Sequence, residues 1–160
     1  MQIKELTIEK IRNAMPGAVL EVSDFRDELT LTVGYDTVTG ICRLIRDDSE
    51  LQFGFCEDVT AIDWARRKNR FTMVYHLYSM KNNFRLRLKA DLPAEETESI
   101  TSVYPGANWY ERETYDMFGI RFNGHPDLRR VYMPEEFEYH PLRKEFPLLG
   151  IPGSLNLPQK

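Results

Sequence analysis

The residues best suited to chemistry are three carboxylates and a histidine in the second half of the chain, Glu111, Glu113, Asp116 and His125. Carboxylates and imidazole act as general acids and bases, and together they also bind several divalent metal ions. The same groups can instead serve structure. Glu111 suits a helix cap, and Asp116 stands one turn after Arg112, with which it can pair. We favour the structural interpretation and predict no catalytic and no metal-binding residue in this chain.

The remaining charged groups of this region favour the same interpretation. We expect Glu113 to meet an arginine from the tail or from a partner. His125 precedes Pro126, which disfavours helical backbone at the histidine, so we expect it to fix a loop rather than to bind a metal. The cations that follow could bind phosphate or anionic lipid, but the local charge is not net basic. We therefore predict that these cations pair with carboxylates of this region or of its partners. The cations are Arg129, Arg130, Arg143 and Lys144.

These groups lie in a stretch that is unusually rich in aromatic residues. Nine of the chain's nineteen aromatic residues lie between Trp109 and Phe146, interleaved with charges of both signs. Large aromatic rings supply contact area, and arginine guanidinium groups can form two parallel hydrogen bonds to a carboxylate. A buried contact surface that contains charges requires both. We therefore expect this stretch, which includes Phe118 and His140, to dock the chain into a larger assembly.

A helix and a tail must position the stretch. The helix is predicted to begin at Asn108, whose side chain can cap the amide of Glu111 while Glu111 reaches back, and to end at Gly119. After it, prolines recur too often for long helices or central strands, so an extended tail is expected. We predict an α+β domain over residues 1–122 and an extended docking tail over residues 123–160, both within one structural unit.

The earlier part of the chain shows the patterns of an α+β fold. Apolar spacing predicts helices over Ile3–Met15, with Thr7 as a possible cap, over Tyr35–Asp47, with Asp36 as a possible cap, and over Pro93–Val103. Strand-like segments lie at Ala18–Asp24, Glu28–Val33, Gln52–Trp64, Phe71–Met80 and Phe84–Ala90. The first two and the last two strands are predicted to form hairpins. The fold class that follows is a two-layer sandwich with helices on a mostly antiparallel sheet.

Composition excludes several kinds of partner. At 160 residues the chain fits one domain, and its net charge is −4 with a single short basic run, Arg66-Arg67-Lys68, so we do not expect nucleic acid as a partner. Cys42 and Cys56 lack metal-site spacing and are interpreted as reduced, buried side chains. No apolar run approaches the about 20 residues that cross a bilayer, so membrane contact is expected only through partners.

The order of the motifs resembles one family, the 30-kDa or C subunit of respiratory complex I, the proton-pumping NADH:quinone oxidoreductase. The matching elements are ERE from Glu111, FGI from Phe118, GHPDLRR from Gly124 and HPLRKEFPL from His140. They occur in the family's order within one stretch. The resemblance implies a scaffold in the peripheral arm of the complex, with no active site and no bound cofactor of its own.

The resemblance also implies which subunits and cofactors lie near this chain. NAD, FMN, iron–sulfur clusters and quinone would be bound by partner subunits, which pass electrons from NADH to quinone and drive proton translocation. The expected neighbours are the hydrogenase-large-subunit-like (D) and terminal-cluster (B) subunits, at the cytoplasmic side of the inner membrane. The residues expected at partner interfaces or in the structural signature are Glu111, Arg112, Glu113, Asp116, Phe118, His125, Arg129, Arg130, His140 and Arg143.

Two alternatives stay open at this point. One is the equivalent subunit of a related membrane-bound hydrogenase or ferredoxin-dependent complex, because the motifs separate these complexes poorly. The other is an autonomous enzyme that uses the carboxylates and His125.

Overall fold

A five-stranded sheet organises the protein, whose residues 2–150 are described by a computed structural model. The strands are β1 (Val19–Phe25), β2 (Glu28–Val33), β3 (Phe55–Asp63), β4 (Phe71–Ser79) and β5 (Phe84–Asp91). They lie in the order β1-β2-β5-β4-β3, and all neighbours are antiparallel except β2 and β5, which are parallel. The predicted α+β fold with a mostly antiparallel sheet is confirmed, as are the hairpins β1–β2 and β4–β5.

The core lies where one face of this sheet meets two helices, α1 (Ile3–Ala14) and α2 (Val38–Asp47). Alternation along a strand aims every second side chain at the same face. Leu31 of β2 therefore stands opposite Leu88 of β5, and both are buried. The apolar side of α2 completes this layer with residues such as Ile41, which is fully buried.

The opposite face of the sheet carries polar and charged side chains. Along β5, Leu86 and Leu88 are buried while Arg85 and Arg87 point the other way, as the alternation predicted. Arg87 pairs with Glu28 of β2 at 2.6 Å on this face. A strand with one dry and one wet face is typical of an antiparallel sheet covered on one side.

Both amino-terminal helices begin at residues other than the predicted caps. α1 begins before Thr7, with Gln2 as its N-cap residue and the Glu5 carboxylate accepting from the Gln2 amide at 3.2 Å. Thr7 is buried inside the helix, where its hydroxyl donates to a carbonyl one turn earlier at 2.7 Å. α2 follows Thr37 rather than Asp36. A threonine hydroxyl can be satisfied inside a helix as well as at its start, so its position alone does not fix the start.

The predicted helix over Pro93–Val103 is wrong. Its centre is a short strand, β6 (Glu96–Glu98), which pairs in parallel with β7 (Arg121–Asn123). Burial alternates along β6, since Thr97 is buried between two exposed glutamates. The strand depends on a pairing partner that lies beyond the next helix, and local apolar spacing carries no information about that partner.

From Gly124 to Gly150 the chain forms turns but no further helix or strand. Proline lacks an amide donor and fixes its own backbone angle, which accounts for the irregular path. Residues 151–160 of the predicted tail lie outside the described residues, and the division at residue 122 stays a prediction. Among residues 2–150, no helix combines the length and the apolar character needed to cross a membrane.

A buried tyrosine ties the turn after β6 to the helical layer, and it gives a test of the fold. The Tyr104 hydroxyl donates to the Phe53 carbonyl at 2.8 Å and lies 3.3 Å from the Cys42 carbonyl. Tyr104→Phe removes the hydroxyl donor from the Phe53 carbonyl and should lower the free energy of unfolding by about 1–3 kcal/mol in urea denaturation. The matched control Tyr35→Phe alters a side chain that is 44% exposed and should cost less than about 0.5 kcal/mol. Equal losses in both variants would contradict this role of Tyr104.

Candidate functional site

The candidate site is built on a third helix, α3 (Ala107–Phe118), which packs along the edge strand β3. The Thr114 hydroxyl donates to the Val59 carbonyl of that strand at 2.8 Å. Phe118 packs edge-on against Phe71, with ring centroids 6.3 Å apart. The helix buries charged as well as apolar side chains, namely Ala107, Glu111, Arg112, Thr114, Asp116, Met117 and Phe118.

The two ends of α3 differ in how well they were predicted. The N-cap residue is Gly106 and no side chain caps it, so the predicted capping box of Asn108 and Glu111 is wrong. Glu111 instead points into the core, because the helix presents that side to β6 and the following turn. At the other end Gly119 adopts the predicted left-handed conformation, with φ at 77°.

Glu111 is fully buried and holds the turn after β6. Its carboxylate accepts from the Ser99 hydroxyl at 2.6 Å and from the Ile100 amide at 2.7 Å. Burial raises the pKa of Glu111 to about 7, against the lowering effect of these two hydrogen bonds. Glu111 therefore joins β6 and α3 as a group whose charge state changes near neutral pH.

The His125 imidazole lies beside Glu111 without forming an ion pair. Its Nε2 is 4.0 Å from Glu111 Oε2, and the same Nε2 donates to the Asn108 carbonyl at 3.1 Å. Its Nδ1 accepts from the Asp127 amide at 3.0 Å. Because one ring nitrogen donates and the other accepts, these bonds select a neutral tautomer. His125 thus fixes the loop that leads from β7 into the tail.

Asp116 is the anchor of the tail. Its Oδ2 accepts from three successive main-chain amides, those of Val131 at 3.0 Å, Tyr132 at 2.7 Å and Met133 at 3.0 Å. Its Oδ1 accepts from Arg130 Nη1 at 2.6 Å. Burial acts to raise the pKa of Asp116, but the hydrogen bonds outweigh it and lower the pKa below its usual value. A charged carboxylate therefore holds this part of the tail in one register against α3.

The predicted pairing of Arg112 with Asp116 is wrong. Arg112 donates instead to the tail carbonyls of Arg129 and Arg130, both at 3.1 Å, and its guanidinium lies 4.7 Å from the centre of the Trp109 ring. Asp116 is occupied by the amides that follow these carbonyls. The two side chains thus bind adjacent peptide groups of the tail. Arg112 donates to the carbonyls, and Asp116 accepts from the amides.

The carboxyl end of α3 is capped by the tail. A helix leaves its last carbonyls without partners inside the helix. Here the Asp116 carbonyl bonds to His140 Nδ1 at 2.9 Å, the Met117 carbonyl accepts from the Leu142 amide at 3.0 Å, and the Phe118 carbonyl accepts from Arg143 Nε at 2.6 Å. Arg143 also pairs with Glu95 at 2.7 Å. The helix end therefore fixes a second tail segment.

Gly119 is needed at this junction for space as well as for its backbone angle. A Cβ at this position would lie 2.6 Å from both Arg143 Nη2 and His140 Nε2. Burial lowers the pKa of His140, and the neighbouring Arg143 and Arg130 guanidinium groups lower it further, while the Asp116 carbonyl opposes them. A neutral imidazole suits this crowded, cation-rich position.

Arg130 connects the anchor to an aromatic cluster in the tail. Besides Asp116, it donates to the carbonyls of Phe137 and Tyr139. The rings of Phe137, Tyr139 and Phe146 contact one another, with centroids 5.7 to 6.4 Å apart. Beside them lies a groove of about 480 Å³ lined by residues that include Tyr139, Arg143 and Phe146. The tail therefore presents an ordered aromatic surface rather than a loose strand.

Two of the predicted site residues lie on the surface. The Glu113 side chain is exposed and makes no hydrogen bond or ion pair with any of residues 2–150. Arg129 is paired with Asp127 at 2.9 Å, but both side chains are more than half exposed, so the pair contributes little to stability. The structure thus separates Glu113 from the buried carboxylates Glu111 and Asp116, which do not form one cluster.

Asp63 is a structural residue that the sequence reasoning missed. It ends β3 with a buried carboxylate, which accepts from Arg70, from the Ala65 amide and from the Lys144 amide of the tail. Arg70 lowers the pKa of Asp63 well below its usual value. The signal was available, because Val59, Ala61 and Asp63 alternate toward the core and an acid at an inward position needs donors.

The side chains of this site that could act as acids, bases or ligands serve structural roles. Glu111, His125 and Asp116 are each committed to main-chain partners that close loops or hold the tail. In the part of the chain that the structure describes, no three His, Cys, Asp or Glu side chains gather where they could hold a metal ion. The exposed apolar side chains on α3 and the tail are Trp109, Tyr132, Tyr139, Leu142, Leu148 and Leu149.

Comparison with known proteins gives the family. The sequence model described as "Respiratory-chain NADH dehydrogenase, 30 Kd subunit" matches residues 31–151. A Roseiflexus sp. (strain RS-1) protein, named as the C subunit of NADH-quinone oxidoreductase, is 45% identical over 143 residues, which cover 88% of this chain and 82% of that protein. The Geobacter sulfurreducens protein of the same name is 44% identical over 144 residues, covering 88% of each chain. The chain belongs to the 30-kDa subunit family of the respiratory-chain NADH dehydrogenase.

Solved structures extend the likeness of this 30-kDa family member. A chain in the archaeal membrane-bound sulfane sulfur reductase complex superposes with a TM-score of 0.77 at 25% identity, over 91% of this chain and 86% of the other. A trypsin-resistant fragment (1–134) of Nqo5 superposes with a TM-score of 0.61 at 25% identity, over 80% of this chain and all of the fragment. The predicted resemblance is confirmed, and with it the implied function of a peripheral complex I subunit.

Glu111 gives this subunit a testable pH dependence. Its folded pKa of about 7 lies above the usual 4.5, so the stability it contributes is complete below pH 4.5 and is lost as the pH rises through about 7. Glu111→Gln should flatten this part of the pH dependence of the free energy of unfolding. The effect is at most about 3 kcal/mol, since each pKa unit corresponds to about 1.4 kcal/mol.

The measurement is chemical denaturation at one pH below 4.5 and at one above 7. Glu113→Gln, on the exposed side of the same helix, is the matched control and should keep the wild-type pH dependence. If Glu111→Gln also kept it, the buried carboxyl would not be the group responsible.

Asp116→Asn tests the anchor. The amide cannot accept from three main-chain amides and Arg130 as a carboxylate does, so the free energy of unfolding should fall by about 3 kcal/mol or more. Trypsin should also cut after Arg130, whose side chain is 11% exposed in the intact protein, faster than in the wild type. Asp127→Asn removes the same charge from an exposed pair and should change neither result by much. Unchanged trypsin resistance in Asp116→Asn would refute the anchoring role.

Proposed function

We propose that this subunit is a non-catalytic scaffold in the peripheral arm of NADH:quinone oxidoreductase, and that α3 and the tail form its main docking surface. The observation that carries the proposal is that buried charged groups of the signature hold the tail, while five large apolar side chains of the tail are exposed, namely Tyr132, Tyr139, Leu142, Leu148 and Leu149. Stable protein interfaces combine exposed aromatic and leucine side chains with underlying polar groups that already have hydrogen-bond partners.

The first support is the commitment of the buried charges. Asp116 accepts four hydrogen bonds from the tail, and Arg112 and Arg143 donate to main-chain carbonyls. Groups with fixed partners and no open position are poorly placed to bind a substrate or to exchange protons with one. Their replacement should therefore disturb assembly before it disturbs chemistry.

The second support is the character of the exposed surface. Tyr132 is 61% exposed, Leu142 is 52% exposed, and Leu148 and Leu149 are almost wholly exposed. Several exposed large apolar side chains within one short segment are typical of an interaction surface. Glu113 of α3 and Arg129 of the tail add exposed charges, which can pair with a partner and help select it.

The proposal assigns the redox chemistry to neighbouring chains. NAD, FMN, iron–sulfur clusters and quinone would be bound by partner subunits, and this chain would bind none of them. Its neighbours would be the hydrogenase-large-subunit-like (D) and terminal-cluster (B) subunits, on the cytoplasmic side of the inner membrane, with membrane contact only through them. Family membership supports this arrangement.

The alternatives are less well supported. The sulfane sulfur reductase neighbour supports a fold shared between related respiratory complexes, but at 25% identity against 44–45% for the NADH-quinone oxidoreductase relatives. An autonomous enzyme would require the carboxylates and His125 to act together. Glu113 instead lies on the surface, and His125 and Asp116 have separate structural partners.

The test is affinity isolation of the tagged full-length chain from its native membranes in mild detergent, with mass spectrometry of the bound proteins. Tyr132→Ala combined with Leu142→Ala should reduce recovery of cluster-bearing partner subunits by about tenfold or more, because truncation of buried anchors costs about 1–2 kcal/mol each. Tyr35→Ala combined with Leu20→Ala removes the same residue types from exposed positions outside α3 and the tail and should recover partners normally.

Enzyme turnover per assembled complex separates the two roles. If the chain is a scaffold, the Tyr132/Leu142 variant should yield a smaller amount of assembled complex, and each assembled complex should turn over at the normal rate. Recovery of the wild-type chain alone, or normal assembly of the Tyr132/Leu142 variant, would refute the proposed docking surface.

A further inference from the structure

The loop between β3 and β4 carries the densest positive charge of the chain. Residues 64–70 read Trp-Ala-Arg-Arg-Lys-Asn-Arg and include no acidic residue, in a chain whose net charge is −4. Arg66, Arg67 and Lys68 are exposed at the tip of the loop. None of these three side chains makes a hydrogen bond or ion pair with another of residues 2–150. Arg129 of the tail, by contrast, is paired with Asp127.

The shape of this loop is fixed from its base. The Trp64 amide donates to the Arg70 carbonyl at 2.9 Å. The buried Asp63 carboxylate accepts from the Ala65 amide at 2.8 Å and from Arg70 at 2.7 and 2.8 Å. These bonds hold Ala65 in a left-handed conformation with φ at 57°. A loop closed in this way presents its tip with little entropy left to lose on binding.

A stacked tryptophan also orients one of the cations. The Trp64 indole donates to the Thr72 hydroxyl at 2.8 Å, and the Arg67 guanidinium lies 3.7 Å from the centre of the indole ring. Stacking uses the face of the guanidinium and leaves its edge N–H groups available for bidentate bonds to a carboxylate. The loop therefore carries a preoriented donor group for anionic oxygens.

The tail adds a fourth cation beside the loop. The Lys144 amide donates to Asp63 Oδ2 at 2.9 Å, and Glu145 pairs with Arg70. The Lys144 side chain is exposed, and it too makes no ion pair within residues 2–150. We call Arg66, Arg67, Lys68 and Lys144 the cationic corner. It adjoins the tail surface, because Asp63 bonds to both segments.

We propose that the cationic corner binds a carboxylate-rich polypeptide segment of a neighbouring subunit. This inference rests on the proposed scaffold function, since it requires a neighbour. Four cations that have no ionic partner among residues 2–150, on a net acidic chain, complement a cluster of Asp and Glu side chains, and the preoriented Arg67 suits a bidentate carboxylate bond. Such a contact would fix the angle at which the docking surface meets its partner.

Two other occupants fit less well. The last ten residues of the chain contain no Asp or Glu, so they lack the charge to bind here. An anionic bilayer would meet no large apolar side chain at the loop tip, residues 66–69. Trp64 at the base of the loop is 38% exposed, but its indole N–H is bonded to Thr72 and Arg67 stacks on one face of its ring. Peripheral membrane loops combine cationic and large apolar side chains.

The test uses the full chain within the isolated complex. p-Benzoylphenylalanine in place of Asn69, beside the cations, should crosslink under ultraviolet light to one subunit, in a peptide where Asp and Glu outnumber Lys and Arg. Arg67→Glu combined with Lys68→Glu should lower partner recovery about tenfold, which corresponds to about 1.4 kcal/mol. Arg12→Glu combined with Arg43→Glu makes the same charge change at exposed residues of α1 and α2 and should leave recovery unchanged.

The outcomes separate this inference from the scaffold function. If the wild type recovers its partners and the Arg67/Lys68 variant recovers them equally well, the cationic corner has no such role while the scaffold function stands. A crosslink only to lipid, or to a peptide without excess acid, also overturns the inference. If the wild-type chain recovers no partner, the scaffold function fails and this inference fails with it.

Discussion

The carboxylate of Asp116 is the constraint on which the second half of the structure depends. A charge removed from water is tolerated only when donors replace the lost hydration. Here the donors are Arg130 and three successive amides of the tail, so the tail can meet α3 in only one register. The alignment of Arg112 with the neighbouring carbonyls and the position of the aromatic cluster both follow from that register.

The five strands of the sheet and the hairpins β1–β2 and β4–β5 could be predicted from the sequence because that information is local, whereas the parallel pairing of β2 with β5 was not predicted. Alternation along β5 separates Leu86 and Leu88 from Arg85 and Arg87 without reference to any other segment. β6 could not be predicted in the same way, since it exists only through its pairing with β7 beyond α3. The limit lies in the physics of strands, which are stabilised by partners that neighbouring residues do not reveal.

In the candidate site, too, the sequence indicated the role of a residue but not its bonding partner. The sequence identified Glu111, Arg112 and Asp116 as structural charges, but it assigned the nearest partner on the helix to each. A pair four residues apart on a helix contributes only a few tenths of a kcal/mol. Main-chain donors and acceptors from distant segments offer more bonds to each group, and they displaced the local pairs. Neither the bonds of Asp63 nor the tautomer of His125 can be read without the assembled loops.

The capping of α3 by the tail imposes an order on folding. The carbonyls of Asp116, Met117 and Phe118 point along the helix axis only once its last turn has formed, so the segment from His140 to Arg143 has nowhere to settle before then. Helical turns form within microseconds, ahead of long-range docking. The docking surface that we propose for α3 and the tail would therefore be completed only after the helix that carries it, and an incompletely folded copy would not present it to a partner.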